Sequence, residues 1–216
     1  NGVNASTTPT LTVGWRGTAR LGVTARFGRS QTILGRVTAP GGAPIVGAQI
    51  GLEAQPVYAG AKAIALAGTR TGADGRFSVR LPAGLPSCTL HVTYRAHLGD
   101  PLPVASRTLR LSVHAGIALR IAPRTASVGQ SIHFQGRLLG RPVPHDGKQL
   151  VLEARSPGGA WIEFEVVRTD ARGRYRASYR FKFAGPAFYQ FRVLSEPESD
   201  YPFAAGSSPV IGVHER

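Results

Sequence analysis

Arginine is the residue type with the clearest chemical potential in this sequence, because it recurs at alternate positions along predicted strands. A guanidinium group binds carboxylate, sulfate or phosphate through parallel N–H donors. The candidate anion-binding residues are Arg76, Arg80, Arg172, Arg174, Arg176, Arg180 and Arg192, with Arg95 on a further strand. An acidic polysaccharide or a nucleic-acid backbone could lie along such a row. The alternative is a solvated face that prevents strands from aggregating.

The overall charge is consistent with weak attraction to polyanions. The formal net charge is +14, and all 26 basic residues except Lys62, Lys148 and Lys182 are arginines. Such a surface attracts polyanions without specificity. GC-rich coding also favours arginine over lysine, so this excess does not predict a specific nucleic-acid partner.

The spacing of the histidine, cysteine and acidic residues gives little support for metal binding or thiol chemistry. The six histidines show no metal-ligand spacing, and Cys88 is the single cysteine, so the sequence predicts neither a metal nor a cofactor. We expect Cys88 to be a small apolar residue in a strand rather than a reactive thiol. The acidic run Glu196, Glu198 and Asp200 is expected to be a solvated loop, with a calcium site as the alternative.

Hydrolytic motifs are equally weak. No Gly-x-Ser-x-Gly elbow is present, and Gly206-Ser207-Ser208-Pro209 resembles one poorly. Glu163 and Glu165 share one face of a predicted strand, which would suit a glycosidase pair, but an exposed face paired with arginines is the simpler interpretation. We therefore predict that the chain is not an enzyme.

The elements that carry these residues come from an internal duplication. Landmarks in residues 31–113 return in residues 131–213 about 100 positions later, in the same order. We predict a linker or N-terminal extension at residues 1–10, one domain at 11–114 and a second at 117–216. Because the chain starts at Asn1 and contains no Met, we expect it to be a processed or excised segment.

Within each repeat, apolar residues alternate with polar ones, and Gly, Pro and Asp clusters interrupt them about every ten residues. This pattern is typical of half-buried antiparallel strands. It predicts an all-β fold with two tandem antiparallel β-sandwiches of about seven strands each. Phe77 and Tyr175 are predicted to point inward. Gly35 and Gly136 are predicted to leave room for an aromatic ring from the opposite sheet.

The turn motifs resemble those of a known group. Residues 71–77 read Thr-Gly-Ala-Asp-Gly-Arg-Phe and residues 81–84 read Leu-Pro-Ala-Gly, while residues 169–175 repeat the first motif in degenerate form. These motifs resemble bacterial Ig-like modules of the carboxypeptidase-regulatory-like, transthyretin-like group. The resemblance implies an Ig-like β-sandwich in a secreted or cell-surface protein that acts as a spacer, stalk or binding module, without catalytic residues.

The segment containing Leu11, Val13 and Trp15 allows two interpretations. It could add a strand to the sheet edge of a neighbouring molecule, with Trp15 as an intermolecular anchor. Alternatively it is the first strand of its own sandwich.

The sequence as a whole predicts a non-catalytic stalk, spacer or filament building block of a secreted or cell-surface bacterial protein. Its expected partners are other domains of the same longer chain, with possible self-association into filaments. The second hypothesis is a binding module for an anionic polysaccharide or another polyanion through the arginine faces. The third is an accessory domain of a larger extracellular enzyme. No apolar run is long enough for a membrane span.

Overall fold

The computed structural model describes residues 8–18, 20–97, 99–182 and 188–216. Most of the predicted linker, residues 1–7, lies outside the described residues. The chain divides into two compact units, Asn1–Val113 and His114–Arg216. The described residues of both units form strands, turns and loops but no helix, so the predicted all-β fold with tandem sandwiches is confirmed.

The first unit is a sandwich of a three-stranded and a five-stranded sheet. Its strands are β1 (Thr10–Trp15), β2 (Gly22–Arg26), β3 (Thr32–Thr38), β4 (Gln49–Pro56), β5 (Ile64–Arg70), β6 (Arg76–Arg80), β7 (Cys88–Arg95) and β8 (Ala105–His114). The strand orders are β1-β3-β6 and β2-β8-β7-β4-β5.

The second unit repeats this arrangement. Its strands are β9 (Ile117–Ala122), β10 (Thr125–Ala126), β11 (Ser131–Leu138), β12 (Gln149–Arg155), β13 (Ile162–Arg168), β14 (Arg174–Arg180), β15 (Phe188–Ser195), β16 (Gly206–Ser207) and β17 (Ile211–Glu215). The orders are β14-β11-β9 and β10-β17-β15-β12-β13, with β16 also paired to β15. The same strand topology therefore occurs twice.

Alternation along the strands explains where each core lies. In β7, Leu90, Val92 and Tyr94 are buried while His91 is exposed, as expected for a strand with one face against the core. In the second unit the rings of Phe134 and Phe191 meet edge to face, with centroids 5.2 Å apart. Each buried side chain of this size contributes about 1.5–3 kcal/mol.

The prediction of about seven strands per repeat was too low. The described residues form eight strands in the first unit and nine in the second, including the two-residue strands β10 and β16. In β2 only Ala25 is buried, and the alternation of Val23 and Ala25 with exposed residues is too short and too weakly apolar to predict a strand. The two-residue strands are too short to show any alternation.

The predicted partner of the inward glycines was wrong. Phe77 lies directly opposite Gly35 on the neighbouring strand of the same sheet, and Tyr175 lies opposite Gly136 in the same way. A Cβ atom on Gly35 would collide with the Phe77 ring, and one on Gly136 with the Tyr175 ring. The missing side chain thus makes room for a cross-strand aromatic residue rather than one from the opposite sheet.

The first strand belongs to its own domain. β1 pairs antiparallel with β3, and Leu11 and Trp15 are buried at 0% and 3% exposure. The Trp15 indole N–H donates to the carbonyl of Leu21 at 3.3 Å. Val13, half-buried, pairs with Gly35 in the same ladder. The intermolecular interpretation of Leu11, Val13 and Trp15 is therefore replaced by the intramolecular one, because these residues are used within the sandwich.

A buried threonine accepts the same backbone hydrogen bond in both units. Thr71 Oγ1 accepts from the backbone N–H of Ala48 at 2.9 Å, and Thr169 Oγ1 accepts from that of Lys148 at 3.0 Å. The turns that follow each contain a glycine with positive φ, 73° at Gly75 and 77° at Gly173. These shared contacts orient β6 and β14, the strands that carry most of the candidate arginines.

Candidate anion-binding face

The register of the three-stranded sheet in the second unit gathers arginines from three strands on its outer face. On β14, Arg174, Arg176 and Arg180 are exposed and alternate with the inward residues Tyr175 and Tyr179. Because side chains of paired residues point to the same face, the neighbouring strands extend this row.

Two arginines from β9 and β11 join it. Arg137 pairs with Arg174, while Gln135 pairs with Arg176 on one side and with Arg120 on the other. All of these side chains are exposed. We call the outward side chains of Arg120, Gln135, Arg137, Arg174, Arg176 and Arg180 the basic face.

The spacing within the basic face follows from sheet geometry. Paired residues on adjacent strands lie about 5 Å apart, and successive outward residues of one strand about 7 Å apart. Four of its arginines thus surround Gln135, at a shallow groove of about 420 Å³ that is also lined by Gly136 and Tyr175. The Tyr175 hydroxyl donates to the Ala118 carbonyl at 2.8 Å beneath this groove. Burial raises the pKa of Tyr175, so its phenol stays neutral.

The arginines of the basic face have N–H donors available for a ligand. None of the five forms an ion pair with any described residue. Arg137 Nε donates to the carbonyl of Arg172 at 3.3 Å and Arg180 Nε to that of Gly129 at 2.9 Å. Each of these two side chains has further N–H groups for a ligand, because a guanidinium carries five donors.

Asp170 is the carboxylate associated with the end of this face. It lies in the turn before β14, where its Oδ1 accepts from the backbone N–H groups of Arg174 at 2.8 Å and Arg172 at 2.9 Å. The hydrogen bond from Arg174, together with that from Arg172 and the positive charges of both residues, lowers the pKa of Asp170. The carboxylate therefore stays ionised. Its hydrogen bonds fix the turn, and its charge interacts with those of Arg172 and Arg174 at this end of the face.

The corresponding face of the first unit is less basic. Its outward residues include Arg36, Arg76 and Arg80 on β3 and β6. Arg36 is half-buried and donates to the Asp74 carbonyl at 3.1 Å, and Arg76 lies 3.6 Å from the Asp74 carboxylate. Leu34 is exposed and pairs with Ser78, between the Arg36–Arg76 pair and Arg80. The first unit thus has part of the same arrangement. Arg36 and Arg76 contact Asp74, and the apolar Leu34 lies at the centre of the face.

Within the second unit, two predicted site residues, Arg172 and Arg192, do not belong to the basic face. Arg172 precedes β14 and lies in the turn, where its carbonyl accepts from Arg137. Arg192 lies on β15 in the other sheet, where it pairs with Glu153 at 2.6 Å and its guanidinium lies 4.2 Å from the Trp161 ring centroid. The sequence could not show the Glu153 pairing, because these residues meet only through the register of β12 and β15. Arg192 is therefore engaged within its own domain.

Sequence reasoning missed Arg120 and Arg137. Each lies at an outward position of an alternating strand, which is a usable signal, but joining them to the β14 row requires the order and register of the strands. It also missed Lys148, which is fully buried and donates through Nζ to Glu198 Oε1 at 2.6 Å. One carboxylate of the predicted solvated acidic loop is thus bound to a buried ammonium group.

The other residues considered for chemistry in the sequence lie outside the basic face. Glu163 and Glu165 are both exposed on β13, the last strand of its sheet. Cys88 is buried in β7, and burial raises the pKa of its thiol to about 11, so it remains protonated near neutral pH. Among the described residues, no group of three His, Cys, Asp or Glu side chains is placed to hold a metal ion. The described residues also include no helix with the length and hydrophobicity of a membrane-spanning segment.

Comparison with known proteins gives distant structural likenesses. No protein-family model matches the chain, and no curated protein matches its sequence. It is similar to the Yersinia pseudotuberculosis adhesin InvE over 99% of its length, with 13% identity and a TM-score of 0.40. It is similar to a tetra-tandem repeat in the extending region of a large adhesion protein over 96%, with 14% identity and a TM-score of 0.39.

A third likeness is to a Salmonella alpha-2-macroglobulin reacted with methylamine, over 96% of this chain with 14% identity and a TM-score of 0.34. This chain spans 61%, 49% and 15% of the three compared chains, respectively. At such low identities and TM-scores, the fold assignment depends on the strand topology of this chain itself.

Proposed function

We propose that this chain is a non-catalytic structural module of a secreted or cell-surface bacterial protein, acting as a stalk, spacer or filament building block. The observation that carries the proposal is the recurrence of one sandwich topology in two units, each with its own core. Repeating a self-contained domain adds length to a chain without adding chemistry. Its partners are then the other domains of the same longer protein.

The finer affiliation with carboxypeptidase-regulatory-like modules is part of this proposal. It is supported by the turn in which Gly75 has positive φ and Phe77 is buried, and by the matching Gly173 and Tyr175 in the second unit. These features are architectural, which agrees with a spacer role.

Replacement of the module tests the structural role. In the parent protein, residues 1–216 are exchanged for an unrelated tandem β-sandwich of equal length. Surface presentation and the activity of the remaining domains should be retained, because a spacer contributes length and folding autonomy only. Loss of that activity with normal surface levels would contradict the proposal, since these residues would then contribute a specific function.

A second candidate function is the binding of a polyanion. It is supported by the five exposed arginines of the basic face, none of which forms an ion pair with a described residue. Replacing Arg174 and Arg176 with Ala should lower affinity for heparin and reduce its dependence on salt, because fewer counterions are released on binding. An affinity that does not change with either salt or these substitutions would contradict this function.

A further inference from the structure

We propose that the basic face of the second unit is a binding site for a linear sulfated or carboxylated polysaccharide. The anionic groups would be held by Arg120, Arg137, Arg174 and Arg176 around Gln135. This inference depends on the second candidate function and specifies its site and ligand class.

The available donors define the chemistry of the ligand. The four arginines form no ion pair with any described residue, and their forked N–H donors match the geometry of sulfate or carboxylate oxygens. At their centre the exposed Gln135 offers a neutral amide that both donates and accepts, as a sugar hydroxyl requires. Charged groups around a neutral polar centre suit a chain in which anionic groups alternate with hydroxyls.

The shape of the face favours an extended ligand. The outward side chains span three strands, about 10 Å in width, and Arg180 continues the row along β14 beyond Arg176. The groove is open and shallow rather than enclosed. A small anion would contact one or two arginines here, whereas a linear chain contacts several at once and gains affinity through that multiplicity.

The face offers little to nucleic-acid bases. Proteins that bind single strands stack bases on Phe, Tyr or Trp side chains. The outward positions of β9, β11 and β14, all of which the structure describes, hold none of these residues. Tyr175 is buried, and its hydroxyl bonds to Ala118 beneath the face. His133, the one imidazole among these positions, lies one row beyond the arginines that surround Gln135.

The first unit provides a matched control. By alignment of the aromatic residues Phe77 and Tyr175, Arg76 corresponds to Arg174 and Arg80 to Ser178. Replacing Arg76 and Arg80 with Gln removes two charges, as does replacing Arg120 and Arg137 with Gln. The two double variants therefore have equal net charge and differ in which face is changed.

The test measures binding of the full chain and both variants to a heparin oligosaccharide, to polygalacturonate and to oligo(dT), over a range of salt concentrations. We expect the Arg120→Gln/Arg137→Gln variant to bind heparin or polygalacturonate with an affinity at least about tenfold lower than that of the wild type. The Arg76→Gln/Arg80→Gln variant should bind within about twofold of the wild type. Circular dichroism checks that both remain folded.

Three results would overturn the inference. Equal weakening by both variants would show attraction to net charge rather than to this face. Tighter binding of oligo(dT), weakened by Arg120→Gln/Arg137→Gln alone, would make the face a nucleic-acid site. No salt-dependent binding to any of the three polyanions would overturn the second candidate function as well, while leaving the structural role unaffected.

Discussion

At the scale of single residues, the two units share a glycine that an aromatic ring covers from the neighbouring strand. Gly35 lies under Phe77, and Gly136 under Tyr175. The aromatic and the glycine were both visible in the sequence, because they recur in both repeats. Their pairing within one sheet was not, since it depends on how β3 and β6, or β11 and β14, are aligned.

The glycine position predicts a sharp difference between two substitutions in the first unit. Gly35→Ala should destabilise this unit by about 1–3 kcal/mol, because the new Cβ meets the Phe77 ring and lies 2.6 Å from the Thr12 carbonyl oxygen. In the adjacent strand, a Cβ atom on Gly14 would lie 3.7 Å from the Thr18 carbonyl oxygen, which is an ordinary contact distance. Gly14→Ala should therefore change the stability by less than about 0.5 kcal/mol.

Urea denaturation followed by Trp15 fluorescence measures both variants. Trp15 and Trp161 are the two tryptophans of the chain, so a Trp161→Phe background isolates the signal of the first unit. Equal stability of the two glycine variants would contradict the packing of Phe77 over Gly35.

The buried lysine of the second unit predicts an asymmetric response. Lys148 is fully buried, whereas the Glu198 side chain retains 31% exposure. Glu198→Gln should therefore cost about 2 kcal/mol, because it leaves a desolvated ammonium without a counter-charge. Lys148→Met should cost less than about 1 kcal/mol, because the apolar stem is kept and the freed carboxylate can hydrate.

A double-mutant cycle checks this asymmetry by urea denaturation of the second unit. The Lys148→Met/Glu198→Gln double variant should resemble Lys148→Met alone, because no buried charge remains. A larger loss from Lys148→Met than from Glu198→Gln would show that packing around the lysine, rather than its charge, determines the stability. The matching position in the first unit is Ala48, whose N–H makes the same bond to a threonine, so the ion pair is an addition specific to the second unit.

At the scale of the strands, periodicity in the sequence predicted those elements in which one face is buried. β4 and β7 each alternate buried and less buried residues along their length. The sequence pattern did not predict β2 and β10, because each strand buries only one residue, Ala25 and Ala126 respectively. The outward arginines of β14 were predicted for the same reason as its inward aromatics. Arg120 and Arg137 were not joined to them, because strand order is set by long-range pairing.

The first strand, β1, is expected to be essential for the stability of the first unit. Deleting residues 1–15 should unfold the first unit while the second remains folded, because β1 supplies the buried Leu11 and Trp15. Trp15→Ala alone should destabilise the first unit by about 3–5 kcal/mol. Limited proteolysis with identification of the protected fragment distinguishes the two units.

Deletion of residues 1–7 is the control, because it leaves the whole of β1 in place. A first unit that stays folded without residues 1–15 would contradict the intramolecular role of this strand. It would also restore the hypothesis that Leu11, Val13 and Trp15 act between molecules.

At the scale of the whole molecule, the duplication separates what is shared from what is specific. Both units share the strand topology, the positive-φ turn glycine, the buried threonine and the covered glycine. They differ on the outer face of the three-stranded sheet, which is basic in the second unit and centred on Leu34 in the first. Shared features account for folding, so a specific function is expected where the copies differ.

The central claim is that each repeat is a self-sufficient β-sandwich, and calorimetry of the separated repeats tests it most directly. Residues 1–114 and 114–216 are expressed alone and heated. Each should unfold in one two-state transition, with equal calorimetric and van't Hoff enthalpies of about 70 kcal/mol near 60 °C. A repeat that shows no cooperative transition by itself, while the full chain does, would contradict the claim.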